Sequence, residues 1–199
     1  MKRPTTKTAN NESQDSGLIS AQGDHIYFYS SVTQESALAL NQKLHQVSLQ
    51  HLSGIFNSMH ELTPPPPIWL HINSYGGELF SAFAIADTIE RIKVSCPIIT
   101  VVEGCAASAA TIISTAGTRR LMRKNSYMLI HELSDVAWGR HSSMEDHLQS
   151  NKELMKTMKD WYTKRSKIKP AELDEILKRD RWWNSTQCKN KYGLVDEII

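Results

Sequence analysis

The fold is decided by residues 68–117, which read IWLHINSYGG ELFSAFAIAD TIERIKVSCP IITVVEGCAA SAATIISTAG. Apolar runs at Ile68–Ile72 and Ile98–Val102 are short and rich in β-branched residues, which favours two buried strands. Segments with helical spacing follow each run, at about Leu79–Ile92 and about Ala107–Thr115. Alternation of strand and helix predicts an α/β fold in which a largely parallel sheet, built from βαβ units, carries packed helices.

The chain before this stretch divides into a polar arm and the start of a folded domain. Residues 1–22 contain few apolar side chains, which predicts a disordered arm or leader, and residues 23–199 are predicted to form one domain. Within that domain the sequence predicts a strand at His25–Tyr29 and a helix from Thr33 to about Met59. Four prolines, Pro64–Pro67, then predict a stiff connector.

Beyond the stretch, the sequence predicts one more strand and two helices. The strand covers Tyr127–Ile130, a long helix runs from Ser142 or Ser143 to about Arg165, and a shorter one covers Pro170–Leu177. The terminal segment, Trp182–Ile199, is expected to contain a strand and a short helical turn. We find no internal repeat.

Composition excludes several functional classes. A net charge of +2 over 199 residues lacks the one-sided field of a nucleic-acid-binding protein. The three cysteines form no CxxC pair and the histidines no HxxxH pair, so we expect neither a metal nor an organic cofactor. Glu103 interrupts the longest low-charge stretch, which argues against a membrane span. With no secretory signal in its sequence, the protein is expected in the cytoplasm.

Three residues with catalytic side chains follow predicted strands or precede an apolar segment. Ser108 lies among small residues after the strand Ile98–Val102, His131 directly follows Ile130, and Asp180 precedes an apolar run. Since reactive groups gather outside the carboxyl ends of parallel strands, these residues are candidates for nucleophile, base and orienting carboxylate. Each also has an ordinary interpretation: a close-packed helix start, a satisfied histidine, or half of a surface ion pair with an adjacent arginine.

A glycine pair forms a fourth feature of this edge. The segment Asn73–Gly77 ends a predicted strand, and its glycines allow backbone N–H groups to approach a ligand closely. It is either a tight turn or half of an oxyanion hole, whose other half would be the N–H of Ala109.

Taken together, these residues resemble successive motifs of the Clp protease proteolytic subunit family, ClpP. The likeness extends over roughly Ile68–Ile199, in the same order and with similar spacing. Its motifs are Ile72–Gly77, Gly104–Ala109, Met128–His131, Arg179–Trp183 and Tyr192–Asp196.

The resemblance implies a serine peptidase with the ClpP/crotonase fold and a projecting handle helix. It implies Ser108 as nucleophile, His131 as general base, Asp180 as its orienting partner, and Gly77 with Ala109 as oxyanion donors. Stacked rings that enclose the sites, peptide or unfolded-protein substrates and a Clp ATPase partner also follow from it. A catalytically silent ring subunit and a crotonase-like acyl-CoA enzyme are the alternatives.

The sequence departs from the family pattern near the site. Tyr75 stands where the family usually has proline, Glu132-Leu133 where it has Gln-Pro, and Ala109-Ala110 where it has Met-Gly. These differences leave the three catalytic positions intact and are expected to affect specificity, Tyr75 above all.

The predicted long helix carries a broad apolar stripe. Because the resemblance makes it the handle through which rings interlock, we expect Met155 and Met158 to pack against a partner ring. Burial against the domain's own core is the alternative. The stripe comprises Met144, Leu148, Asn151, Met155, Met158 and Tyr162, and Leu154 and Trp161 widen it.

Overall fold

The computed structural model describes residues 18–57, 64–134 and 138–199, and these form a mixed α/β domain. The strands are β1 (Ile19–Gln22), β2 (His25–Phe28), β3 (Ile68–Ser74), β4 (Ile98–Ala107), β5 (Arg119–Met122), β6 (Tyr127–Leu129), β7 (Trp182–Asn184) and β8 (Glu197–Ile198). The helices are α1 (Gln34–Asn57), α2 (Leu79–Ile92), α3 (Ala109–Ser114), α4 (His141–Arg165) and α5 (Pro170–Leu177), with a π-helical turn at Gln187–Lys191.

The described strands make one eight-stranded sheet in the order β1-β2-β3-β4-β5-β8, and β6 joins β4 to β7. The neighbouring pairs β2–β3, β3–β4 and β4–β5 are parallel, as the βαβ pattern predicts, whereas β1 is antiparallel to β2. The sequence predicts neither β1 nor β5, and for the terminal segment it predicts one strand where the structure has two, β7 and β8. Since β1 pairs with β2, the arm boundary at residue 22 is too late, and residues 1–17 of the predicted arm lie outside the described residues.

Helix bounds follow the sequence closely where apolar periodicity is strong. Helices α2 and α5 have the predicted bounds, and α4 begins one residue before the earlier of the two predicted starts. Helix α1 is described up to Asn57, so the predicted end near Met59 lies outside the described residues. No helix in the described ranges is both long and apolar enough to cross a bilayer.

Strand β4 is longer than predicted because it changes partners along its length. Residues Ile99–Val102 pair with β5, and Cys105–Ala107 pair with β6. Between the two parts the register against β3 shifts, so that Ile72 faces Val102 but Ser74 faces Ala106. A bulge of this kind bends and twists the strand. It carries the end of β4, and therefore Ser108, to the end of β6.

The main core lies between the sheet and helices α1 to α3. Its largest fully buried side chains include Phe28, Leu40, Ile72, Ile85 and Ile112. The three cysteines are free thiols, and all are buried.

Glu103, on β4, lies at the centre of a cluster of polar side chains. Its carboxylate accepts hydrogen bonds from Tyr29 Oη at 2.5 Å, His71 Nδ1 at 3.0 Å and Arg123 Nε at 3.1 Å. Burial raises the pKa of Glu103, but the hydrogen bonds from the three donors outweigh it, so the net pKa lies below its usual range.

Helix α4 divides into a projecting half and an anchored half. Met144 and Leu148, in the first half, are exposed, whereas Met158 and Tyr162 are buried in the domain's own core, with Met155 packed against it. The prediction that Met158 packs against a partner ring is therefore wrong. Within one chain its side chain is only 5% exposed, so a second chain cannot contact it. Met144 and Leu148 are the most exposed apolar side chains of this helix.

Candidate active site

Ser108 occupies the junction between β4 and α3. Its backbone has φ 52° and ψ −128°, and within the described residues it is the only non-glycine with positive φ. Such a conformation costs on the order of 1–3 kcal/mol and persists only when its surroundings impose it. The Ser108 N–H donates to Leu129 O at 2.8 Å, which fixes the junction to the end of β6.

A buried hydroxyl pair holds Ser108 from the other side. Thr111 Oγ1 donates to Ser108 O at 2.6 Å, and Thr111 N–H donates to the same oxygen at 3.0 Å. Tyr162 Oη lies 2.6 Å from Thr111 Oγ1, so with Thr111 donating to Ser108, Tyr162 donates to Thr111. Burial raises the pKa of Tyr162. The anchored half of α4 thus reaches the backbone of Ser108 through two hydroxyls.

His131 approaches Ser108 from the segment after β6. Its Nε2 lies 2.8 Å from Ser108 Oγ, within hydrogen-bond distance. The following residue, Glu132, donates its N–H to Leu177 O at 2.9 Å, which ties this segment to the end of α5. The structure therefore brings Ser108 and His131 together at this edge of the sheet.

Asp180 stands on the other side of the imidazole. Its Oδ1 is 3.6 Å from His131 Nδ1, longer than a hydrogen bond, and its side chain is 81% exposed. Among the described residues, His131 is the only ion-pair partner recorded for Asp180, so the alternative pairing with an adjacent arginine is absent there. Two other carboxylates are engaged elsewhere: Asp174 with Lys159 at 2.5 Å and Asp196 with Arg120 at 2.5 Å.

The glycine turn after β3 packs directly on Ser108. A Cβ on Gly76, whose φ is +94°, would lie 2.5 Å from Ala107 O and 2.7 Å from Ser108 Cβ, so only glycine fits. Val32 bridges the turn by donating its N–H to Gly76 O and accepting from Glu78 N–H, both at 2.8 Å. The Gly77 N–H takes no part in that bridge.

Sequence reasoning missed two contributors to this site. Tyr162 lies 51 residues from Thr111, and an apolar stripe gives no sign that one of its members bonds a hydroxyl near the serine. Trp182 lies in a strand, as the sequence predicts, but nothing in the sequence indicates that its ring contacts Tyr75, with centroids 6.2 Å apart. In the described ranges, no three His, Cys, Asp or Glu side chains are grouped to hold a metal.

Comparison with known proteins bears on the same residues. The family model described as Clp protease matches residues 20–199, which include the whole site. The chain belongs to the Clp protease family. The ClpP resemblance and the α/β fold class are thereby confirmed.

Two curated relatives are ATP-dependent Clp protease proteolytic subunits. The chain is similar to ATP-dependent Clp protease proteolytic subunit 2 of Frankia casuarinae, with 28% identity over 173 residues, 86% of this chain and 78% of that protein. It is similar to subunit 1 of Streptomyces coelicolor, with 30% identity over 138 residues, 68% of this chain and 62% of that protein. The chain is therefore a divergent ClpP-type protein.

Proposed function

We propose that the protein is a serine endopeptidase that cleaves peptides and unfolded proteins through an acyl-enzyme. The observation that carries the proposal is the 2.8 Å contact between Ser108 Oγ and His131 Nε2, in a chain of the Clp protease family. A serine becomes an effective nucleophile when an adjacent base accepts its proton.

Acylation starts with the transfer of the Ser108 hydroxyl proton to His131 Nε2. Ser108 Oγ attacks the peptide carbonyl carbon, and the resulting oxyanion accepts hydrogen bonds from the N–H groups of Gly77 and Ala109. When the tetrahedral intermediate collapses, the C–N bond breaks and His131 gives the proton to the leaving amine. A water molecule then attacks the ester carbon and gives a proton to His131. The bond between that carbon and Ser108 Oγ breaks, His131 returns the proton to Oγ, and the carboxylate product leaves.

Asp180 orients the imidazole and stabilises its protonated form in this scheme. At 3.6 Å and largely in solvent, it contributes little until it approaches His131 more closely. Catalytic hydrogen bonds are often long in unliganded sites and tighten in the complex with substrate. Assembly into stacked rings would supply both a closed chamber and a surface over Asp180, and the exposed half of α4 is the element proposed to join the rings. A Clp ATPase that delivers unfolded substrates, and a cytoplasmic location, stay predictions.

The test is hydrolysis of fluorogenic peptides by the purified full chain. Ser108→Ala and His131→Ala should each lower the rate by about 10⁶, as for other triads in which the members act as a unit. Asp180→Asn should lower it by about 10⁴. The matched carboxylate control is Asp174→Asn, since Asp174 is paired with Lys159, and this variant should keep its activity.

The alternatives give different results in the same assay. Hydrolysis that survives in Ser108→Ala contradicts the proposed nucleophile. Absence of hydrolysis in a parent protein that forms rings would favour the silent subunit. Turnover of an acyl-CoA in place of peptides would favour the crotonase-like enzyme.

A further inference from the structure

Two large aromatic side chains stand exposed beside Ser108. Tyr75 is 77% exposed and Trp182 is 42% exposed, yet their rings meet edge to face with centroids 6.2 Å apart. This spacing lies within the range for favourable aromatic pairs, 4.5–7 Å. The pair therefore presents a preformed apolar surface to solvent.

The two rings belong to two segments that lie next to Ser108. Tyr75 directly precedes Gly76, whose Cβ position lies 2.7 Å from Ser108 Cβ. Trp182 is in register with Leu129, whose carbonyl accepts the Ser108 N–H at 2.8 Å. Each ring thus belongs to a segment that contacts the nucleophile or is paired with one that does.

We propose that Tyr75 and Trp182 form an aromatic subsite that recognises an aromatic side chain of the substrate next to the scissile bond. This inference rests on the proposed peptidase function and names the substrate class of the same site. Because both rings are exposed to solvent, a third ring can pack against them at the same spacing. Tyrosine and tryptophan supply such contact area at little cost in conformational entropy, because each has two χ angles.

The position of the pair explains why it selects substrates without driving the chemistry. Neither ring takes part in the contacts that join Ser108 to His131 and His131 to Asp180. Removing a ring therefore leaves the nucleophile and the base in place. Lost contact with a substrate ring should instead lower the rate only for substrates that carry one. Differences of this kind in an apolar subsite change kcat/KM by roughly 10–200-fold.

The experiment compares two sets of peptides that differ only in phenylalanine or alanine at each position flanking the cleaved bond. For the parent, the phenylalanine peptides should have the higher kcat/KM at one of these positions. Tyr75→Ala and Trp182→Ala should each reduce that advantage by about tenfold. The matched controls Tyr75→Phe and Trp182→Phe keep a ring and should retain most of it. Fluorophosphonate labelling of Ser108, with Ser108→Ala as the unlabelled control, should still occur in all four variants and shows that the nucleophile is in place.

Binding separates failure of this inference from failure of the proposed function. In the Ser108→Ala background, fluorescence anisotropy measures the affinity of labelled phenylalanine and alanine peptides without any cleavage. Tighter binding of the phenylalanine peptide that is lost in Trp182→Ala supports the subsite even if the parent cleaves nothing. Equal preference in the parent and both alanine variants, or a preference for lysine at the same position, overturns it.

Discussion

The hydrogen bonds among Tyr162, Thr111 and Ser108 make a testable link between α4 and the nucleophile. Thr111→Val keeps the shape of the side chain and removes the hydroxyl that lies 2.6 Å from both Ser108 O and Tyr162 Oη. Tyr162→Phe removes only the outer hydroxyl. The two variants and their combination form a double-mutant cycle within one buried network.

The magnitudes follow from what each variant leaves unpaired. Thr111→Val loses the bond to Ser108 O, about 1 kcal/mol, and leaves the Tyr162 hydroxyl buried without a partner, about 2 kcal/mol more. Tyr162→Phe leaves the bond from Thr111 to Ser108 O intact and should cost about 1 kcal/mol. The double variant has no orphaned hydroxyl, so we expect about 2 kcal/mol instead of the additive 4 kcal/mol.

The assay is urea unfolding of the four proteins at one fixed protomer concentration, because assembly makes apparent stability depend on concentration. Fluorophosphonate labelling of Ser108 should also slow in Thr111→Val, since Thr111 helps to hold the positive φ of Ser108. If the two single effects add to within about 0.5 kcal/mol, the hydroxyls are not coupled and the reasoning is refuted.

Three further perturbations test other parts of the account. The folded-state pKa of Glu103 is lowered, so its stabilisation is present above the unfolded pKa of about 4.3 and disappears as pH falls through the folded pKa. Glu103→Gln should therefore flatten the loss of stability below about pH 4.3 in acid unfolding. Gly76→Ala should lower peptide hydrolysis about 100-fold, since its Cβ would meet Ser108 Cβ at 2.7 Å. The control Gly54→Ala adds a Cβ that meets no atom within 4 Å in helix α1, and should stabilise the fold by about 0.5–1 kcal/mol. Equal activities of the two variants would contradict this. Leu148→Asp should sediment as smaller, folded species that hydrolyse peptides poorly, because Leu148 is exposed. The buried Met158 should not tolerate a charge, so Met158→Asp should fail to fold. An unchanged assembly in Leu148→Asp would exclude this side chain from the contact between rings.

The elements that the sequence predicts well are those whose apolar pattern is set by a single packing face. Helix α2 alternates buried and exposed positions with helical period, so its bounds, Leu79 to Ile92, coincide with the prediction. Strand β4 was cut short at Val102 because Gly104 and the alanines after it resemble a turn. Only pairing with β6, which depends on distant residues, extends it to Ala107. The sequence does not predict strand β5, because two of its four residues are arginines and no apolar run marks it.

The candidate site divides in the same way. The proximity of Ser108 and His131 was predictable, because both follow strands that end at one edge of the sheet. The long distance of 3.6 Å between Asp180 Oδ1 and His131 Nδ1 was not predictable, since it depends on the path of the chain after α5. The burial of Met158 could not be predicted from the apolar stripe either, because such a stripe can pack against a partner ring or against the domain's own core.

The central claim is that Ser108 is a nucleophile activated by His131, and active-site labelling tests it most directly. Full-length protein is treated with a fluorophosphonate, and the modified residue is identified by peptide mass spectrometry. The account predicts a single adduct on Ser108 in the parent and in Asp174→Asn, and loss of the adduct in His131→Ala. An adduct on a different serine, or a parent that hydrolyses peptides while Ser108 stays unmodified, would contradict it.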